Sequence, residues 1–161
     1  IYKIPTICLR YFNIFGPKQD PNSIYSAAIP RFIDALIGGR SPIVFGDGEQ
    51  SRDFTYIDNV VHANLLAMYI EHTHGEAVNI ACGYRTSLNQ LLNILQNIIN
   101  LKVLPIYQET KKGDVRHSLA DISKAKAILN YDPKIEIEGG LRKTVEFFLK
   151  QKEQRMGREG S

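Results

Sequence analysis

Tryptophan is absent from the 161 residues, and only two cysteines and two methionines occur. Cys8 and Cys82 stand far apart, with no paired spacing and no histidine at metal-ligand intervals. The sequence therefore offers neither a disulfide framework nor a metal site. Such cysteine usage fits a reducing compartment, and a cytoplasmic location is expected. No stretch approaches the ~20 apolar residues that span a bilayer, and no secretion-signal pattern opens the chain. Neither a membrane nor a nucleic-acid partner is expected: 20 Lys+Arg against 17 Asp+Glu leaves only +3, spread without a long basic run. What remains, 43% hydrophobic and 23% charged, is the composition of an ordinary globular chain. It is too short for an eightfold β/α barrel.

Several chemical signatures are missing as well. There is no G-x-G-x-x-G turn for a pyrophosphate, no Walker lysine motif and no Gly-x-Ser-x-Gly elbow. Gly46-Asp47-Gly48 would aim two carboxylates, Asp47 and Glu49, at any phosphate, so it is not a phosphate cradle. Tyr107 and Lys111 have the Y-x-x-x-K spacing of a dehydrogenase pair. Tyr107, however, ends a strand-like run and Lys111 opens a polar loop, so the two need not share a face. No residue of this chain is assigned a catalytic role.

The order of elements is nevertheless informative. Ile4 to Tyr11 reads as a strand buried on both faces. After a turn-rich loop, apolar residues at three- and four-residue spacing predict a helix from Ser23 to Ile37, closed by Gly38-Gly39. Strands follow at Pro42–Phe45 and Asp53–Ile57. A helix to Glu71 is expected with Asp58 as its N-cap and with Val61, Leu65 and Met68 on one face. Then come a strand at 76–81, a helix from Ser87 to Ile99, a strand at 103–107, a helix starting at Asp121 or Ser123, and a last amphipathic helix over 138–152. Alternation of strands and helices makes the class α/β.

Three segments read as binding loops. Asn13 follows the first strand, where open α/β sheets collect ligands, so it either meets a substrate or closes an Asx-turn. Arg52 begins a strand beside a tight turn. Its guanidinium either forks onto a phosphate or pairs with Asp53 or Asp47 at the surface. The loop Lys111-Lys112-Gly113-Asp114-Val115-Arg116-His117-Ser118 either meets a nucleotide or is a solvated charge run.

In order along the chain, RYFNIFGPKQDP, GDGEQSRDFTYIDN and GDVRHSLADISKAKAILNY resemble the C-terminal half of the extended short-chain dehydrogenase/reductases, specifically the nucleotide-sugar 4-epimerases, over Pro5 to about Leu149. The resemblance implies the last part of a Rossmann-type NAD(P)-binding fold joined to a small α/β substrate domain. Residues 1–20 would be the last Rossmann strand and its loop, 21–150 mainly the substrate region with returning Rossmann elements, and 151–161 a flexible tail. On this resemblance the chain is a piece of a longer protein.

The full enzyme would hold NAD, remove hydride from C4 of a UDP-sugar and return it to the other face through a 4-keto intermediate. The glycine-rich turn and the catalytic tyrosine, lysine and Ser/Thr would belong to the N-terminal half. Substrate binding falls, by resemblance, to Asn13, Ala27, Ala28, Ile43, Phe45, Arg52, Lys111, Asp114 and Ser118, and contact with the nicotinamide to Tyr11 and Phe12. Lys111 or Lys112 stands where the family often has arginine, so a point charge replaces a fork. Ser118 matches a position that is a bulky tyrosine in epimerases restricted to unacetylated hexoses. A small residue there implies room for UDP-GlcNAc and UDP-GalNAc. A homodimer, an inactive isolated fragment and use in surface-polysaccharide synthesis are further implications. A 4,6-dehydratase, a uronate epimerase or a non-catalytic sugar-nucleotide binding module are the alternatives.

Overall fold

The computed structural model describes residues 4–22, 28–71, 73, 75–110 and 113–159. In chain order the elements are β1 (Ile7–Tyr11), β2 (Ile14–Phe15), α1 (Ala28–Ile37), β3 (Ile43–Phe45), β4 (Ser51–Arg52), β5 (Thr55–Tyr56), α2 (Ile57–Met68), β6 (Glu76–Ile80), β7 (Thr86–Ser87), α3 (Leu88–Ile99), β8 (Ile106–Gln108), α4 (Ser123–Leu129) and α5 (Ile137–Glu159). Three pairings are parallel, β1 with β6, β2 with β5 and β3 with β8, while β4 and β7 run antiparallel. The α/β class with parallel pairing is thus as expected.

Local chemistry explains the helix limits. In α1 the buried residues Ile29, Phe32, Ile33 and Leu36 form one stripe at helical spacing. The helix ends in a Schellman motif: Gly39 sits at φ +67°, its N–H donates to Leu36 O, and Arg40 N–H donates to Ala35 O. Ser87 caps α3 through a capping box with Gln90, worth about 1 kcal/mol. Asp58 is not the cap of α2. That helix starts two residues earlier than such a cap implies, with Tyr56 at the N-cap and no side-chain cap, and Asp58 lies in its first turn.

Two cores result. The larger packs α1, α3 and α5 around Phe15, Val44, Phe54 and Tyr56. The smaller joins β6, α2 and α4 through Val78, Ile80, Val60, Ala63, Leu129 and Tyr131. Fully burying one such Leu, Ile, Val or Phe stabilises by about 1.5–3 kcal/mol.

Further expectations meet mixed outcomes. β1 is half-buried to exposed along its length instead of covered on both faces, because β6 takes one edge and α2 packs against it. Val61, Leu65 and Met68 do share a face of α2, but that face is exposed, and the buried face is Asn59, Val60 and Ala63. The strand expected at 53–57 shrinks to β5, with Ile57 already in α2, β4 standing ahead of it, and the buried Asp53 and Phe54 between β4 and β5. α5 also continues through most of the segment expected as a tail. No helix among the described residues is long and apolar enough to cross a membrane.

Candidate functional site

β3, β4, the first residues of α1 and α3, and the loop from Gly113 border a cavity of about 420 Å³. Apolar walls come from Ala28 and Phe32 of α1, from Phe54, and from Leu88 of α3; Asn13, Gln50, Arg52, Asp114 and Arg31 supply the polar groups.

β4 is held on two sides. Antiparallel β7 pairs with it, Ser51 opposite Ser87 and Arg52 opposite Thr86. On the other flank Ser51 N–H donates to Arg116 O at 2.9 Å, Ser118 N–H donates to Ser51 O at 3.0 Å, and Ser51 Oγ lies 2.9 Å from His117 Nδ1. Arg52 therefore projects from a strand pinned on both flanks. Its Nη1 donates to Ser51 O at 2.9 Å and its Nη2 pairs with Asp114. This ion pair is only partly exposed, which raises its strength relative to a surface pair.

The turn before β4 is equally ordered. Asp47 accepts from Glu49 N–H at 2.9 Å and takes a two-pronged bond from Arg116 at 2.7 and 2.8 Å. The Arg116 guanidinium holds the Asp47 carboxyl down at about 2. Gly48 sits at φ +77°, and a Cβ there would meet Asn89 Oδ1 at 2.1 Å, so the turn needs glycine. Tyr107 lies in β8 and donates its hydroxyl to Asn89 Oδ1 at 3.1 Å, and Lys111 falls outside the described residues.

Of the residues expected to bind substrate, Asn13, Ala28, Ile43, Phe45, Arg52 and Asp114 line this one cavity. Arg52 pairs with Asp114, not with Asp53 or Asp47. Asn13 sits at φ 38°, and its Nδ2 donates across to Asp53 O at 3.3 Å. Ser118 does not line the cavity; it lies against β4, two residues before the buried Ala120. Tyr11 and Phe12 lie elsewhere too. Tyr11 donates to Asn64 Oδ1 at 3.0 Å beside a separate cavity of about 310 Å³, and Phe12 packs against Ala81, Ala120 and Ile122. Ala27 and Lys111 are outside the described residues. Sequence reasoning missed Arg31, Phe32, Gln50, Phe54 and Leu88. Arg31 was within reach, one helical turn beyond Ala28 on α1.

Burial pushes the Cys82 thiol up to about 11. Among the described residues no group of three or more His, Cys, Asp or Glu could hold a metal ion.

With this geometry in hand, similarity to known proteins is decisive at the level of family. The family model of the NAD dependent epimerase/dehydratase family matches residues 1–81. The chain belongs to this family. A putative UDP-glucose 4-epimerase of Methanocaldococcus jannaschii is 38% identical over 90% of this chain and 46% of its own length. A UDP-glucuronate 4-epimerase of Thermodesulfobacterium geofontis is 37% identical over 90% of this chain and 43% of its own. Among solved structures, the UDP-N-acetylglucosamine 4-epimerase from Methanobrevibacter ruminantium M1, in complex with UDP-N-acetylmuramic acid, superposes with a TM-score of 0.87. It is 40% identical over 93% of this chain and 48% of that one. The chain therefore spans about half the length of the epimerase/dehydratase relatives it matches.

Proposed function

We propose that this chain is the sugar-nucleotide-binding half of a UDP-hexose 4-epimerase that interconverts UDP-GlcNAc and UDP-GalNAc, with UDP-Glc and UDP-Gal as further substrates. Within it, residues 1–20 act as the last Rossmann strand and loop, and 21–150 mainly as the substrate region. The observation that carries this reading is the 420 Å³ cavity, which joins apolar walls to the partly buried Arg52 beside Asp114. A nucleoside diphosphate asks for that combination: an apolar slot for the base, an acceptor for ribose hydroxyls and a fork for the diphosphate. In the unliganded chain Asp114 holds the guanidinium in place. On binding, the diphosphate takes over as its partner and Asp114 accepts from the ribose.

Arg52 and Arg31 against Asp114 leave the cavity net positive. Asn13 hydrogen-bonds the sugar nucleotide, the backbone around Ile43 to Phe45 holds the base, and Ser118, which stands against β4 and not in this cavity, is small where the resembled enzymes restricted to unacetylated hexoses carry tyrosine. Bound NAD supplies the hydride-transfer chemistry at C4 of the sugar. This chain fits only its nicotinamide end, through Tyr11 and Phe12 at the end of β1, because the sequence contains no glycine-rich pyrophosphate turn. What the chain contributes is positioning, which is binding energy used to fix where C4 lies.

Calorimetric titration of the 161-residue chain tests the reading. Saturable UDP binding is expected, with no measurable NAD binding and no epimerase turnover. Arg52→Ala should weaken UDP by about 10- to 100-fold, the worth of a charge-assisted fork. Saturable NAD affinity, or UDP binding indifferent to Arg52→Ala, would sink it. A uronate epimerase is the second reading, favoured by the 37% identity to a UDP-glucuronate 4-epimerase. Product analysis with UDP-GlcNAc and UDP-glucuronate on a polypeptide that includes both halves separates the two.

A further inference from the structure

Between Arg52 and Phe54, which both line the cavity, lies Asp53, whose side chain is 0% exposed. Its carboxylate meets backbone from two distant segments. Oδ1 accepts from Cys82 N–H at 2.9 Å; Oδ2 accepts from Gly83 N–H at 2.9 Å and from Ala120 N–H at 3.4 Å. Its own main-chain carbonyl accepts from Asn13 Nδ2 at 3.3 Å. One residue thus joins the loop after β1, the strand region carrying Arg52, the end of β6, and the end of the segment that carries Asp114 and Ser118.

We infer that Asp53 is the positioning residue of the sugar-nucleotide cavity, clamping the 113–120 loop to the end of β6 so that Asp114 and Arg52 face the same ligand. The inference rests on reading the cavity as a sugar-nucleotide site. A carboxylate suits the clamp because it only accepts, and here it meets only donors. An amide of the same size would turn an NH2 toward one of three N–H groups, and alanine would leave all three unpaired. Burial raises the Asp53 pKa, while the three N–H bonds work against that rise. The titratable groups around it fall in other ranges: burial pushes up Cys82, Tyr84 and Tyr131, and Ser123 holds Asp121 down.

The test compares the parent chain, Asp53→Asn and Val145→Ala, the last a buried α5 residue outside the cavity lining whose truncation lowers stability without touching the clamp. Calorimetry with UDP and amide NMR are read together. UDP binding by Asp53→Asn is expected at least 10-fold weaker, with exchange protection lost at Ala120 and kept at Leu91 to Leu95, while Val145→Ala binds UDP within twofold of the parent. In the parent alone, the amide signals of Cys82, Gly83 and Ala120 should move together on acidification, a signature that survives even if Asp53→Asn does not fold. UDP binding by Asp53→Asn within twofold of the parent, an equal loss in Val145→Ala, or three amides that titrate independently would each overturn the clamp. A parent that binds no UDP defeats the functional reading instead. The clamp is then judged by the amides alone, retained Ala120 protection in Asp53→Asn overturning it and lost protection supporting it.

Discussion

The wall around β4 and the wall formed by β1 and α2 are finished in opposite ways. Around β4 most polar groups are answered within the chain, Ser51 by the 116–118 segment, Arg52 by Asp114, Asp47 by Arg116, and the Asp53 carboxylate by three amides, while Gln50 Oε1 and Thr55 Oγ1 are buried without a partner among the described residues. Along α2 one outward stripe is apolar and open, with Val61 50%, Leu65 50% and Met68 74% exposed, and the C-cap Tyr69 beyond it is 82% exposed. A polar network satisfied internally is rigid before any ligand arrives. An uncovered apolar stripe stores burial energy that has not been used, about 1.5–3 kcal/mol for each large side chain when fully covered. The contrast implies that the cavity's charged side chains are held by partners within these residues, and that the outer face of α2, unlike its inner face, contributes little to the stability of the chain by itself.

The largest effect should come from the one buried polar residue on which the inner face of α2 depends. Asn59 is 1% exposed, donates to Ile135 O at 2.8 Å, and accepts from Lys134 N–H at 2.9 Å and Ile135 N–H at 3.0 Å. Asn59→Ala leaves those backbone groups without a partner, and each buried unpaired group costs about 1–3 kcal/mol. A loss of about 3 kcal/mol or more is expected in urea unfolding, with the m-value unchanged. A loss under about 1 kcal/mol would mean that water replaces the asparagine, and that the inner face of α2 is not sealed.

Residues whose partners lie close in sequence were legible, and those whose partners lie far away were not. Ser87 with Gln90, and Gly38 with Gly39, announce the ends of α3 and α1 because the capping atoms sit within three or four residues of one another. Arg52 and Asp114 could be singled out as charges with work to do, but their pairing spans 62 residues and only the fold reveals it. In the sequence Asp53 reads as part of a strand or as a surface partner for Arg52. Its real partners stand 29, 30 and 67 residues away, so no local pattern marks it. The Val61, Leu65, Met68 stripe shows a different limit: helical periodicity reports that a face is apolar, not that anything covers it.

A smaller effect separates the two buried and exposed carboxylates beside Arg52 by sign. Arg116 keeps Asp47 at about 2, below its ordinary 3.8, so the native state binds fewer protons than the unfolded chain between those values. Stability from this pair is present above pH 4 and lost as pH falls toward 2. Asp53 is raised instead, so its native state binds more protons just above pH 3.8 and stability falls as pH rises through that window. Urea midpoints at pH 5 and pH 2.5 should show a smaller acid loss in Asp47→Asn than in the parent. An unchanged acid loss would show that the Asp47–Arg116 pair does not hold the turn in solution.

The smallest effect is expected where the most apolar area shows. Leu65→Gln combined with Met68→Gln replaces two exposed side chains on α2 whose neighbours in the buried core are Asn59, Val60 and Ala63, on the opposite face. Glutamine keeps the helix propensity, and surface changes of this kind shift stability by no more than about 0.5 kcal/mol. UDP affinity should be untouched, because the cavity lies against β4, α1 and α3 and not against α2. A destabilisation above about 1 kcal/mol, and one that grows with protein concentration, would mean that this stripe is covered in solution by another copy of the chain. The β1–α2 wall would then be as finished as the β4 wall, its partner being intermolecular where that of β4 lies within the chain.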